Sequence, residues 1–567
     1  MTGVVTGVDP GTSGDRRKVV VVTGGGGGIG AAIAEDLGRA GTFVVTMDPL
    51  VTIDGSEQLP APEETTAGRI VAAGGSARAS SVSVTDRDAI RSLFEDLVGE
   101  FGGLHAVVNV AGISRPTSFA TGSEEDWLGV LTVHLDGYLN ILGAALPIMA
   151  AAGHGRILGV TSGSGWRAAN AGAYACAKRA VASLTWQLGR HVPPGVVVNA
   201  MSPIAATRMV TAALGARAGS TGGGKASAST GGLSLASMPT PEELGPIGSH
   251  LVADTFSWCS GQVIFAGGSE VAVIDQPRLL EVVRADDVTS IAHMLETVTT
   301  TALLPAEAHQ QSNGGSNSRF GPIFDEPSPD ALPAAVVRSC ALVTDQPGVA
   351  ATIAAALDAR GVTCTLIDPG DHAATFDGAA DALAATAALV GPLDALVVAL
   401  AGTSPSADVG SDWERVLGEH RGLVGQIHAD ARWARAAAEH AARTERPIRL
   451  VTLTDATTAG GRSRAQSSAQ LARAAGGATH DRVTAFPVSV ETPWDGDTHP
   501  VGELVAHLLS SPETVPLSGA ELAAGTGWFG LRSHPRPLGS VTYGGPAIPD
   551  WLDDTLRSIV GVTSHQP

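Results

Sequence analysis

The stretch KVVVVTGGGGGIGAAIAEDL, Lys18 to Leu37, joins a β-branched run to a glycine turn and then to a helical pattern. In TGGGGGIG, Thr23 to Gly30, a side chain would stop the backbone approaching a pyrophosphate; the turn amides and the positive end of the helix would hold that anion. Gly24, Gly28, Ile29 and Gly30 are therefore candidate cofactor contacts. Outward from this turn the alternation continues: TFVVTMD reads as a strand, RDAIRSLFEDLVGEFG as a helix, and LHAVVNVAG as a strand. Strands alternating with helices predict an α/β fold, a doubly wound parallel sheet of Rossmann type covered on both faces.

Asp48 ends the second strand, about twenty residues past the turn, where a carboxylate accepts both hydroxyls of a cofactor ribose. The same carboxylate would repel a 2′-phosphate, and no arginine lies within the turn, so the expected cofactor is NAD rather than NADP.

The chain has three tyrosines (Tyr138, Tyr174, Tyr543) and three lysines (Lys18, Lys178, Lys225), yet GAYACAKRA places Tyr174 and Lys178 four residues apart. On a helix such residues share a face. A free tyrosine is ionised to about one part in a thousand at neutral pH, too little for an efficient base. A nearby ammonium is expected to lower its pKa by roughly 1–3 units, so that Tyr174 can take a proton from an alcohol.

The order TGxxxGxG, then NVAG (109–112), then a serine, then YxxxK resembles the signature of the short-chain dehydrogenase/reductase superfamily across the whole first half. The resemblance implies a catalytic set of Ser162, Tyr174 and Lys178, with Lys178 also bonding the nicotinamide ribose. It places Asn109, Ala111 and Gly112 under the adenosine end, with Asn109 tying neighbouring strands. Ser83 stands where many members have an aspartate at the adenine, which leaves that contact to the backbone of Val84. Pro203 and Thr207, in SPIAATRM, fall on the nicotinamide side. His134, in WLGVLTVHLDG, replaces an asparagine that many members hold in a helix kink; a proton relay, a hold on a water and a structural role are all open to it. The VHLxG variant, the insertion after Asp48 and SPIAATRM look like the 3-hydroxyacyl-CoA dehydrogenase module of the type 2 multifunctional enzymes, also called type 4 17β-hydroxysteroid dehydrogenase. Ile204 departs from the asparagine of that branch.

Further along, the pattern repeats in degraded form. CALVTDQPGVAATIAAAL echoes the opening stretch, LDALVVALAG echoes LHAVVNVAG, WERVLGEH echoes WLGVLTVH, and RVTAFPVSVET echoes VVNAMSPIAAT. The second copy keeps one glycine of the turn, Gly348, and puts Asp345 where pyrophosphate would bind. Aligned without gaps, Ser162, Tyr174 and Lys178 fall on Asp455, Ser467 and Leu471. Two tandem Rossmann-like domains are expected, the second degenerate. The expected divisions are a tail at 1–17, a catalytic domain at 18–300, a linker at 301–334, the degenerate domain at 335–545 and a second tail at 546–567. The Gly/Ser-rich run at 215–232 reads as a mobile loop beside the site or as a plain insertion. A degenerate copy would dock as an internal pseudo-dimer, and the resemblance also admits a homodimer.

A net charge of −20 over 567 residues disfavours nucleic acid and anionic membranes as partners. Four widely spaced cysteines and no signal peptide lead to the expectation of a cytoplasmic protein without a metal site. The function expected is NAD-dependent interconversion of a secondary alcohol and a ketone on a hydrophobic or CoA-linked hydroxy substrate. A steroid or cyclic terpenoid alcohol is the second reading, and a non-catalytic nucleotide-binding scaffold is the rival from another class.

Overall fold

A computed structural model describes residues 17–211, 238–284, 291–312, 334–370, 373–402, 410–494, 498–545 and 547–564. The 215–232 run and residues 313–333 of the expected linker lie outside the described residues. In the first half, β1 (Val19–Thr23) is buried throughout and lies within a nine-stranded sheet. The order is β3 (Ser76–Ser80), β2 (Phe43–Met47), β1, β4 (Ala106–Asn109), β5 (Gly155–Val160), β6 (Val196–Pro203), β7 (Val263–Gly267), β8 (Glu270–Asp275) and β17 (Arg536–Thr542). The first seven strands pair in parallel, and β8 runs antiparallel to both its neighbours, β7 and β17. Strand order reverses between β1 and β4, which opens a crevice at the carboxyl ends of the strands. The glycine turn leads out of β1 into that crevice.

The helices of this half that position the site are α1 (Gly28–Arg39), α2 (Thr66–Ala72), α3 (Arg87–Phe101), α4 (Glu124–Leu131), α5 (Gly137–Ala152) and α6 (Gly172–Leu188). Local signals set their ends. The Asp86 side chain accepts from Ala89 N and starts α3, Gly102 closes it in the left-handed region, and Ser123 with Asp126 forms a capping box on α4. One π-helical turn, Thr132–Asp136, joins α4 to α5. The continuous stretch Glu124–Ala152 contains an 18-residue window of mean hydropathy 1.4 and is long and apolar enough to cross a membrane. Its Trp127, Leu131, Leu135, Tyr138, Ile141 and Leu142 are all buried in the protein core, which accounts for its composition.

The second sheet runs β11 (Thr363–Ile367), β10 (Ser339–Thr344), β12 (Ala395–Ala399), β13 (Ile448–Asp455), β14 (Val483–Val490), β15 (Glu521–Gly525), β16 (Trp528–Arg532) and β9 (Leu279–Arg284). It repeats the order of the first, without a counterpart of β3 among the described residues. The ungapped alignment of the helix, however, is corrected. Gly155 pairs with Val196 in the first sheet and Ile448 with Val483 in the second, and the intervening helices begin at Gly172 and Ala459. Gly155 to Gly172 takes 17 steps and Ile448 to Ala459 only 11, so six residues of the loop are missing. Asp455 keeps the place of Ser162, but Gly461 and Ala465, not Ser467 and Leu471, stand at Tyr174 and Lys178.

The sheets also cut across the expected domain boundaries. β9 leaves the first half to pair with β16, and β17 leaves the second half to pair with β8. Each half thus supplies the edge strand of the other. Residues 291–309 are helical, and their Leu295, Val298, Leu303 and Ala306 lie in the second half's core rather than in a domain end and linker. Leu552 and Leu556, in the expected tail, are fully buried in the first half's core. Between the halves, α6 packs along the helix Ala459–Ala472, where Ser467 Oγ donates to the Cys176 carbonyl at 3.0 Å. Beside that contact Arg179 and Glu521 form a buried ion pair at 2.7 Å.

Candidate active site

The glycine turn is built by close approach. Gly24 has φ +64°, and a Cβ there would lie 2.9 Å from Ala111 N; at Gly30 it would meet the Gly24 carbonyl at 2.2 Å. Above Gly27 and Gly28 the nearest groups are the Arg208 guanidinium at 3.5 Å and the Thr207 methyl at 3.8 Å from such a Cβ. The turn therefore presents a cradle at the start of α1, capped from the β6 side by Thr207 and Arg208. Pro203 is the last residue of β6, where it pairs with Ala266. Arg208 qualifies the sequence argument, since tertiary structure brings to the turn an arginine that the turn itself lacks. Asp48 accepts from Gly26 N at 2.9 Å and from Leu50 N at 2.8 Å, which fixes its carboxylate at the mouth of the turn.

Asn109 accepts from Thr23 Oγ1 at 2.8 Å, and the same Thr23 oxygen accepts from Ala111 N at 3.1 Å. These bonds tie β1 to β4 directly beneath the turn. Val84 is buried, and its carbonyl accepts from Asn140 Nδ2 at 3.0 Å. Ile29 packs its side chain into the core beneath the sheet.

Tyr174 lies in the first turn of α6 and Lys178 one turn later. Lys178 Nζ donates to the Val160 carbonyl at 2.7 Å and stands 5.7 Å from the centre of the Tyr174 ring. Ser162 faces the Tyr174 side chain, on whose pKa it acts downward, and its Oγ accepts from Ser164 N at 3.2 Å. The helix spacing thus brings Ser162, Tyr174 and Lys178 together. The expected lowering of the Tyr174 pKa is not what the fold produces. Burial raises it, outweighing the effect of Ser162, and burial pushes Lys178 down to about 7. In a dry site each charge costs more than the pair returns at this separation.

His134 occupies the π-helical turn. Its Nε2 lies 2.7 Å from the Ile113 carbonyl, its ring meets Tyr174 edge-on at 5.1 Å between centres, and its Nδ1 is buried without a hydrogen-bond partner. Burial and the Lys178 charge hold its pKa well below the ordinary value, so it is neutral. With Nε2–H donating to Ile113, the Nδ1 lone pair remains available to accept. A Cβ at position 112 would lie 2.3 Å from the His134 ring, so Gly112 is what admits the histidine.

Other contributors have no local sequence signal. Thr117 Oγ1 accepts from Ala173 N at 3.0 Å at the start of α6. From the second half, Gln470 Nε2 donates to the carbonyls of Ser164 at 3.0 Å and Arg167 at 2.8 Å, and Arg473 donates to that of Trp166 at 3.0 Å.

Comparison with known proteins agrees with this geometry. Residues 18–216 match the short chain dehydrogenase family. The short-chain reductase protein NovJ of Streptomyces niveus is 32% identical over 242 residues, 42% of this chain and 88% of that protein. The peroxisomal hydratase-dehydrogenase-epimerase of Neurospora crassa is 30% identical over 249 residues, 43% of this chain and 25% of that protein. The solved structure of the N-domain of a bacterial malonyl-CoA reductase with NADP has TM-score 0.62 at 15% identity, over 87% of this chain and 95% of that one. That likeness extends the fold over both halves. The chain belongs to the short-chain dehydrogenase/reductase family.

Proposed function

We propose that the chain is an NAD-dependent oxidoreductase that interconverts a secondary alcohol and a ketone, on a hydrophobic or CoA-linked hydroxy substrate. The meeting of Ser162, Tyr174 and Lys178 beside the glycine cradle carries this reading. Gly24, Gly28 and Gly30 with Thr207 and Arg208 would hold the pyrophosphate, Asp48 the adenosine ribose, and Lys178 the nicotinamide ribose. When bound, the nicotinamide supplies the hydride acceptor or donor.

The chain's own residues handle the proton and the substrate oxygen. Ser162 binds that oxygen, and Tyr174 takes its proton on oxidation or returns one on reduction. With an oxidised nicotinamide bound, a positive charge beside Tyr174 would act against the burial that raises its pKa. His134, neutral and with an unpartnered Nδ1, offers an acceptor beside Tyr174. The Asp48 carboxylate supports NAD over NADP by repelling a 2′-phosphate. The likeness to the peroxisomal enzyme supports the CoA-linked substrate class.

The test is Tyr174→Phe on the full chain, assayed with acyl-CoA thioesters, steroids and cyclic alcohols. Turnover is expected to disappear while NAD affinity stays nearly unchanged; a fully active variant would sink the mechanism. Tight NAD binding without turnover of any substrate in the wild-type chain would instead favour a nucleotide-binding scaffold.

A further inference from the structure

A cavity of about 350 Å³ lies between the halves, along the C-terminal part of α6, whereas Tyr174 and Lys178 occupy its N-terminal part. Strand register explains why it exists. In the first half Trp166 packs with Ala182, Trp186, Ala200, Val263 and Ile274, and its Nε1 donates to Ser202 at 2.9 Å. The loop that carries Trp166 is the one shortened by six residues in the second half. The same register puts Ala469, Pro487, Ser489, Glu521 and Arg532 at the places of Ala182, Ala200, Ser202, Val263 and Ile274. All five line the cavity. The indole has been deleted, and two of the apolar residues around it have become charged.

The charge is of one predominant sign. Four guanidiniums, Arg190, Arg415, Arg462 and Arg532, reach the cavity in a chain whose net charge is −20. Of the two carboxylates there, Glu491 pairs with Arg532, and Glu521 is taken up by Arg179 and His534. Arg415 is paired with Asp412 and Glu419. Arg462 donates to Gln187 Oε1 at 2.8 Å and only distantly, at 3.3 and 3.5 Å, to the carbonyls of Thr457 and Ala456. Arg190 extends from the other half, on the last turn beyond α6. Among the described residues, Arg190 and Arg462, from opposite halves, face the space without an ion pair to a carboxylate, although Glu419 and Glu491 lie near enough to act on the Arg462 charge. We infer that this cavity is a binding site for a compact oxyanion of two or more charges, a phosphate or a polycarboxylate, which bridges Arg190 and Arg462. The volume is at the small end of ligand pockets and suits a ligand of that size. Bidentate guanidinium contacts suit its chemistry.

The full chain is titrated with inorganic phosphate and with citrate, at ionic strength held constant with chloride, and thermal unfolding is followed. A saturable rise in Tm with one or both anions is expected, and which one acts distinguishes phosphate from carboxylate ligands. Arg462→Gln and the exposed Arg190→Gln should each weaken the apparent affinity about tenfold or more. No saturable shift with either anion would overturn the site. So would a shift unchanged in both variants, because the anion would then sit at the glycine turn.

Discussion

Lys178 shows how one residue can be legible in kind and illegible in state. Its spacing from Tyr174 predicted a shared helical face, and the two do share one. The direction of the pKa shifts was not predictable, because burial is a property of the whole site. With the lysine held at about 7 against an unfolded value near 10.5, the unfolded chain binds more protons than the native one between those limits. This group therefore makes stability rise with pH from about 7 toward 10. Lys178→Met should flatten that rise in urea-unfolding free energies measured at pH 7, 8 and 9 without added cofactor. An identical pH slope in the variant would show that the lysine is not desolvated. His134 was legible as a departure from the family pattern, but its orphan Nδ1 and its dependence on Gly112 appear only once the π-helical turn is packed on the segment that follows β4.

At the scale of elements, the loop from Ser162 to Asn170 is the least self-sufficient part of the site. Its first residue faces Tyr174, yet three of its backbone carbonyls are held by Gln470 and Arg473 of the other half. Gln470 is buried, and both of its bonds are donated. It acts as a positioning residue: Gln470→Ala is expected to lower kcat by roughly tenfold while leaving NAD affinity unchanged. Gln470→Glu should not rescue, because a carboxylate cannot donate to two carbonyls. Equal activity of all three proteins would show that the loop holds itself. The sequence reading expected the second copy to dock as a pseudo-dimer but misaligned its helix Ala459–Ala472, since a deletion inside a loop leaves no trace in the helical periodicity. Strand pairing exposed it.

On the whole-molecule scale, the exchange of β9 and β17 makes the two halves one folding unit. Each sheet ends on a strand that belongs in sequence to the other half, and one buried core contains residues from Val19 to Ala485. An exposed sheet edge is costly and adhesive, so neither half should be stable with its donated strand removed. Urea or thermal unfolding is expected as a single transition, coincident by circular dichroism and by tryptophan fluorescence. Two separated transitions would mean that the halves fold independently. What the sequence alone determined was everything written in local pattern: the alternation of strands and helices, the glycine cradle, the Asp48 position, the four-residue spacing of Tyr174 and Lys178, and the existence of a degraded repeat. Tertiary structure alone decided which half owns each edge strand, which protonation state burial favours, and that residues near 470 hold a loop near 165. Local pattern follows from the backbone conformation of a few neighbouring residues, whereas strand exchange, desolvation and loop clamping depend on segments that are distant in the chain and meet only after folding.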